Sequence, residues 1–256
     1  MASSKAPKAV LVVTGAWHVP GHYRKLVAEL EKNGIRAICP CLPTNNNAVP
    51  PNKTIHDDIA LIRDIASAET AKGTQLTVLA HSYGGAIVTA AVGDLAYPIN
   101  GDPARGGVVD IIFVTSFLLK EGETLAAMCG GGLPPFVHAR DDGTVAVDDP
   151  RYYFYSDLSD EDAREAMDML VAHQNAAHFT KVECGKAGEA WRVIPSSYLI
   201  CEGDTALLPP YQEMIIGRLK EEGVEIRVFR CGGGHSAFLS MPEEVADVVL
   251  KTIASH

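Results

Sequence analysis

Val78-Leu-Ala-His-Ser-Tyr-Gly-Gly85 is the stretch that decides the fold. Residues 75–80 form a short apolar run that reads as a buried strand, and a helix of small residues is expected from Tyr83 onward, Gly84-Gly-Ala-Ile-Val-Thr-Ala-Ala91. A strand that turns into a helix within two residues crowds the positions two before and two after Ser82. Both are small here, Ala80 and Gly84. Such a turn holds its serine in a strained conformation with Oγ exposed, at a helix N-terminus whose free N–H groups favour an anion. The pattern is that of a nucleophile elbow with Ala80 in the first glycine position. A phosphate-binding turn would need Gly-x-Gly-x-x-Gly or Gly-Lys-Ser/Thr, and neither occurs here.

Working outward, strands alternate with amphipathic helices. Further strands are expected at residues 9–13, 35–39, 109–115, 197–201 and 225–229, and helices at 23–32 and 54–70. Residues 43–51, with three prolines and three asparagines, read as loop. Ser240-Met-Pro-Glu243 has capping-box spacing before a last helix striped by Val245, Val248, Val249 and Ile253. This alternation predicts an α/β fold, a doubly wound and mostly parallel sheet. Residues 119–190 break the rhythm. They contain a glycine turn, an acidic stretch (Asp141, Asp142, Asp148, Asp149), the run Tyr152-Tyr-Phe-Tyr155, and one helix capped by Ser159 with Ala163, Met167, Leu170 and Val171 inward. The core is therefore expected at 1–118 and 191–256, and 119–190 as a helical cap insertion over the strand ends.

A serine needs a base and an orienting acid to act as a nucleophile near neutral pH. His235 follows the last strand in Cys231-Gly-Gly-Gly-His-Ser. Asp204 follows the strand before it, and is preferred over Glu202 two residues earlier. Asp110 starts a predicted strand and belongs at the opposite edge. The oxyanion donors are expected to be the backbone N–H of Tyr83, next to the serine, and that of Ala16 in the loop Thr14-Gly-Ala-Trp-His18. Trp17 and His18 are candidates for the substrate pocket.

The remaining histidines and cysteines point to packing. His18 and His22 are separated by Pro20-Gly21, so no helix presents them together to a metal. His173 and His178 do not share a helix face and read as packing or surface residues; His81 reads as part of the strand end. The six cysteines form no Cys-x-x-Cys pair, and Cys39-Pro-Cys41 reads as two semi-buried thiols. The acidic residues at 141–149 lack the spacing of a calcium loop. No metal site is expected.

Composition narrows the classes. The net charge of −10, from 22 basic and 32 acidic residues, argues against a nucleic-acid or anionic-membrane partner. A hydrophobic share of 47% excludes a mainly disordered chain. No run approaches the length of a membrane span, and residues 9–13 are too short for a signal-peptide core, so a cytoplasmic protein is expected, with a homodimer as the candidate assembly.

The elbow, the Gly15-Ala16 loop, Asp204 and His235 together resemble the α/β-hydrolase superfamily. The closest resemblance is to the compact branch that includes plant methyl-ester esterases and hydroxynitrile lyases, and Gly15-Ala-Trp-His18, Trp191-Arg-Val-Ile-Pro195-Ser and Gly234-His-Ser-Ala-Phe-Leu239 are similar to segments of small microbial and fungal hydrolases of that branch. The resemblance implies a Ser-Asp-His triad, no cofactor, a helical cap and a small-molecule substrate. Thr14 departs from the pattern, standing where many members have His, which alters hydrogen bonding behind the oxyanion loop. The expected function is hydrolysis of a small ester, thioester or lactone through an acyl-enzyme. C–C bond cleavage, a lyase or a cyclase is the alternative on the same fold, and a non-catalytic ligand receptor is the third.

Overall fold

The computed structural model describes residues 6–98, 102 and 105–255. The first half of the chain forms β1 (Lys8–Val13), α1 (Arg24–Lys32), β2 (Arg36–Ile38), α2 (Ile55–Ala71), β3 (Gln75–His81), α3 (Gly84–Ala91) and β4 (Gly107–Val114). The intervening segment forms α4 (Leu125–Met128), β5 (Val137–Ala139), β6 (Thr144–Val147), α5 (Pro150–Tyr155), α6 (Asp160–Asp168), β7 (His173–Gln174) and α7 (Ala176–Phe179). The last part forms α8 (Ala190–Val193), β8 (Ser196–Cys201), α9 (Pro209–Glu221), β9 (Arg227–Cys231), α10 (Ala237–Ser240) and α11 (Pro242–Ala254).

The main sheet has the order β2-β1-β3-β4-β8-β9, and every pairing in it is parallel. All eight residues of β4 are buried, as a strand covered on both faces requires. On one face, Leu26 and Leu30 of α1 pack with Val245, Val249 and Ile253 of α11 and Phe238 of α10. On the other, Ile59 and Ile62 of α2, Ile87 of α3, Trp191 of α8 and Ile215 of α9 form the second core. The strand order reverses between β1 and β3, the switch point where open parallel sheets leave a crevice at the carboxyl ends. Val13 sits beside Ala80, so the loop after β1 and the turn after β3 leave the sheet side by side.

Helix starts follow local chemistry, with one correction. Thr54 caps α2, its N–H donating to Asp57 Oδ2 at 2.8 Å while Asp57 N donates to Thr54 Oγ1 at 3.4 Å. Ser159 caps α6 by accepting from Asp162 N at 3.1 Å. The expected capping box at Ser240 does not form. Ser240 is consumed by the short turn α10, α11 is entered through Met241 and Pro242, and Ser240 Oγ has no partner among the described residues. Helix α6 ends at Asp168, with Ala163 and Ala166 fully buried; Val171 lies beyond its end and donates its N–H to Trp17 O at 3.1 Å.

Residues 119–190 contain no strand of the main sheet, but they are less helical than expected. β5, β6 and β7 form a separate antiparallel sheet. The turn between β5 and β6 uses Gly143 at φ 85°, and Asp142 accepts from Thr144 N at 2.9 Å. The acidic stretch is thus partly structural, with Asp149 capping α5 through Tyr152 N at 3.0 Å. Trp191 Nε1 donates to Leu119 O at 3.0 Å and ties the two ends of the segment together.

No helix among the described residues is long and apolar enough to cross a membrane.

Candidate active site

Ser82 stands at φ 51°, the strained left-handed conformation expected of the elbow. The turn has no room to spare. A Cβ on Gly84 would lie 2.6 Å from Val13 O, so only glycine lets α3 start this close to β1.

The structure brings Asp204 and His235 together. They leave the paired ends of β8 and β9, and His235 Nδ1 donates to Asp204 Oδ2 at 2.9 Å, both side chains buried. The other carboxylate oxygen accepts from the N–H groups of Ala206 (2.7 Å) and Leu207 (2.9 Å). Thr115, at φ 39°, adds its hydroxyl to Oδ2. Four donors therefore fix this carboxylate in one orientation. Glu202, the rival acid, is exposed and pairs with Arg230 instead. Asp110 is fully buried within β4 and pairs with Arg227, away from the site. Ser82 and His235 line the same cavity, although no hydrogen bond joins their side chains. Such contacts tighten when substrate is bound.

The loop after β1 is held from behind. Asn45 Nδ2 donates to Gly15 O at 3.1 Å and to His18 O at 2.8 Å. His18 Nδ1 donates to Ala16 O at 2.6 Å, and its Nε2 accepts from Tyr155 OH at 3.1 Å. His18 is therefore not a pocket residue as expected. Its ring is turned behind the loop because both nitrogens are needed there, whereas Trp17 does line the cavity. The backbone N–H groups of Ala16 and Tyr83 engage no acceptor among the described residues.

A second chain of bonds links this loop to the His235 backbone. Gly15 N–H donates to Tyr23 OH (2.9 Å), Tyr23 OH donates to His81 Nδ1 (2.8 Å), and His81 Nε2 donates to His235 O (3.0 Å). Burial holds the pKa of His81 well below the ordinary histidine value, which keeps the ring neutral and able to accept at one nitrogen and donate at the other. Phe238 stacks on Tyr23 at 4.1 Å between ring centroids and closes the chain off from water. Asp157 fixes the glycine run before His235 by accepting from Gly234 N at 2.6 Å.

The cavity measures about 470 Å³, the size of a small-molecule site. Trp17, Phe117, Leu125, Phe136, Phe154 and Leu207 supply much of its wall, and no Asp, Glu, Lys or Arg among the described residues lines it. Among the described residues no group of three His, Cys, Asp or Glu side chains is placed to hold a metal.

Sequence comparison decides the family. Residues 10–248 match the alpha/beta hydrolase family. The chain belongs to that family. A probable hydrolase, R7, from Phoma is 29% identical over 94% of this chain and 96% of its own length. A carbendazim-hydrolyzing esterase from Nocardioides is 24% identical, covering 93% and 96%. The crystal structure of the Arabidopsis methylesterase MES16 superimposes with a TM-score of 0.74 at 16% identity, covering 98% of this chain and all of that one. Two of these three carry an esterase name.

Sequence reasoning missed Thr115, Tyr23, Asn45 and Asp157, which act on the site through other residues. It also set aside His178, which lines the cavity. Only His178 had a visible signal, a histidine within the interrupting segment. The others become meaningful only once distant segments are brought together.

Proposed function

We propose that this hydrolase cleaves neutral, largely apolar carboxylic esters by acyl transfer through Ser82. His235 takes the Ser82 proton as Oγ attacks the ester carbonyl. Asp204 holds the imidazole in the tautomer that presents Nε2 and stabilises the imidazolium. The N–H groups of Ala16 and Tyr83 receive the developing oxyanion, each such donor being worth roughly 3–4 kcal/mol of barrier. When the C–O bond breaks, His235 returns the proton to the leaving alcohol. Water, deprotonated by the same imidazole, then releases the acid. Residues 119–190 act as a cap, since Leu125, Cys129, Pro134 to Val137, Phe154 and His178 wall the cavity from that side.

The observation that carries this reading is the His235–Asp204 pair opening onto the cavity that also holds Ser82, beside two unengaged N–H groups. The absence of charged side chains from the wall favours a neutral substrate, because a carboxylate or ammonium group would lose its hydration there without a counter-charge. The relatives named as esterases support the same reaction class. Mass spectrometry after treatment with a fluorophosphonate tests it. The expected result is a single adduct on Ser82, absent in Ser82→Ala, with p-nitrophenyl butyrate turnover lost in parallel. Folded wild-type protein that stays unlabelled would overturn the reading.

A further inference from the structure

His178 presents a polar group that nothing in the fold uses. Most polar side chains lining the cavity are committed. Trp17 Nε1 donates to Val145 O at 3.2 Å, Tyr83 OH donates to Asp58 at 2.8 Å, and His235 belongs to the triad pair. Ser82 is the proposed nucleophile, while Cys129 and Tyr211 are only partly buried. His178 is 7% exposed, and its Nδ1 has no hydrogen-bond partner among the described residues. Its Nδ1 is sealed from solvent, so Nε2 is the nitrogen left to meet the cavity that the residue lines.

The surroundings favour one tautomer. Burial lowers the His178 pKa to about 4, so the ring is neutral at ordinary pH and carries one N–H and one lone pair. The backbone carbonyls of Gln174 and Asn175, four and three residues before His178, attract a ring proton without reaching hydrogen-bond geometry. Nδ1 is the ring nitrogen nearer the main chain, so these carbonyls favour the proton there, which leaves the Nε2 lone pair for the cavity. His173 cannot serve the same end. Both its nitrogens are sealed, and its ring stands between those of Tyr83 (4.9 Å) and His178 (5.7 Å) as packing.

We propose that His178 is a specificity residue, whose Nε2 accepts a hydrogen bond from a hydroxyl or N–H group carried on the apolar body of the substrate. The substrate class narrows accordingly, from neutral apolar esters to those bearing one donor group away from the scissile bond. This rests on the hydrolytic reading above for its substrate, but the binding preference itself does not.

Calorimetric binding of 2-naphthol and 2-methoxynaphthalene tests the contact without turnover. One net hydrogen bond is worth about a factor of ten in affinity at the upper end of its usual range. Wild-type protein is expected to bind 2-naphthol about tenfold more tightly than the methyl ether, with the ratio falling to near one in His178→Phe and partly retained in His178→Gln, which keeps an acceptor oxygen. Methyl esters of hydroxyphenylacetic and methoxyphenylacetic acids, compared by kcat/KM, should repeat the preference at one ring position or more. Equal binding of the two naphthalenes by wild type, or an unchanged ratio in folded His178→Phe, overturns the proposal. Equal binding by wild type overturns it even where a variant does not fold, and His235→Phe, which should keep the preference, separates the His178 contact from one to His235. Retained naphthol preference with an unlabelled Ser82 would reject hydrolysis while leaving the His178 contact standing.

Discussion

Replacing Asp58 with asparagine should change how stability responds to pH, by an amount that can be worked from its surroundings. Asp58 is fully buried on α2. Oδ1 accepts from Thr44 N at 2.9 Å, and Oδ2 accepts from Thr44 Oγ1 at 2.7 Å and Tyr83 OH at 2.8 Å. Burial nevertheless outweighs these bonds and pushes its pKa from 3.8 up to about 6. Below 3.8 the folded and unfolded chains both hold the proton. As pH rises, the unfolded chain releases it first, so stability is lost until the folded group ionises near 6. A displacement of that size corresponds to roughly 3 kcal/mol. Asparagine carries no such charge, and its amide can still donate to both hydroxyls while its carbonyl accepts from Thr44 N. Urea unfolding of both proteins between about pH 4 and about pH 8 should show Asp58→Asn gaining on wild type by up to about 3 kcal/mol, with the gain flat above pH 6. A difference that is constant across this range, or that shrinks as pH rises, would refute the argument that desolvation dominates at this carboxylate.

Three further outcomes follow from the site. Asp204→Asn should lower kcat for an ester by about 10⁴-fold with little change in circular dichroism, because the amide reverses the tautomer of His235. Thr115→Val removes one donor to that carboxylate, a bond to a charged group worth about 1.5–3 kcal/mol, and should cost roughly 10- to 100-fold in kcat with KM nearly constant; an unchanged kcat would show that the remaining donors suffice. Gly84→Ala forces a methyl group against Val13 O and should lower stability by about 1–3 kcal/mol, read as a fall in melting temperature.

Much of the site could be read from local chemistry. The elbow is a turn whose steric demands fall on Ala80, Ser82 and Gly84, residues four positions apart at most, so its signature survives in the linear chain. The strands at 75–81 and 107–114 were legible for a similar reason, since burial on both faces favours near-continuous apolar runs, interrupted here only by Thr77 and Asp110 within them. The small sheet at 137–147 and 173–174 was not. Its strands are two to four residues long, and β6 finds its second partner some thirty residues away. Nothing in so short a stretch distinguishes strand from loop until the partner arrives. Ser240 shows the opposite failure, a motif correct in spacing that lost its residue to a neighbouring turn.

The order of the chain alone was enough to specify a parallel α/β sheet and to nominate Ser82, Asp204 and His235, because strand burial, turn sterics and the positions of loops after strands are properties of contiguous residues. Tertiary structure alone decided that Thr115 bonds the aspartate, that Tyr23 and His81 connect the loop after β1 to the histidine backbone, and that His178 lines the cavity while His18 turns behind that loop. A hydrogen bond across 58 or 154 positions depends on where the fold delivers two groups in space. Residue type gives each group its chemistry, and only packing selects its partner.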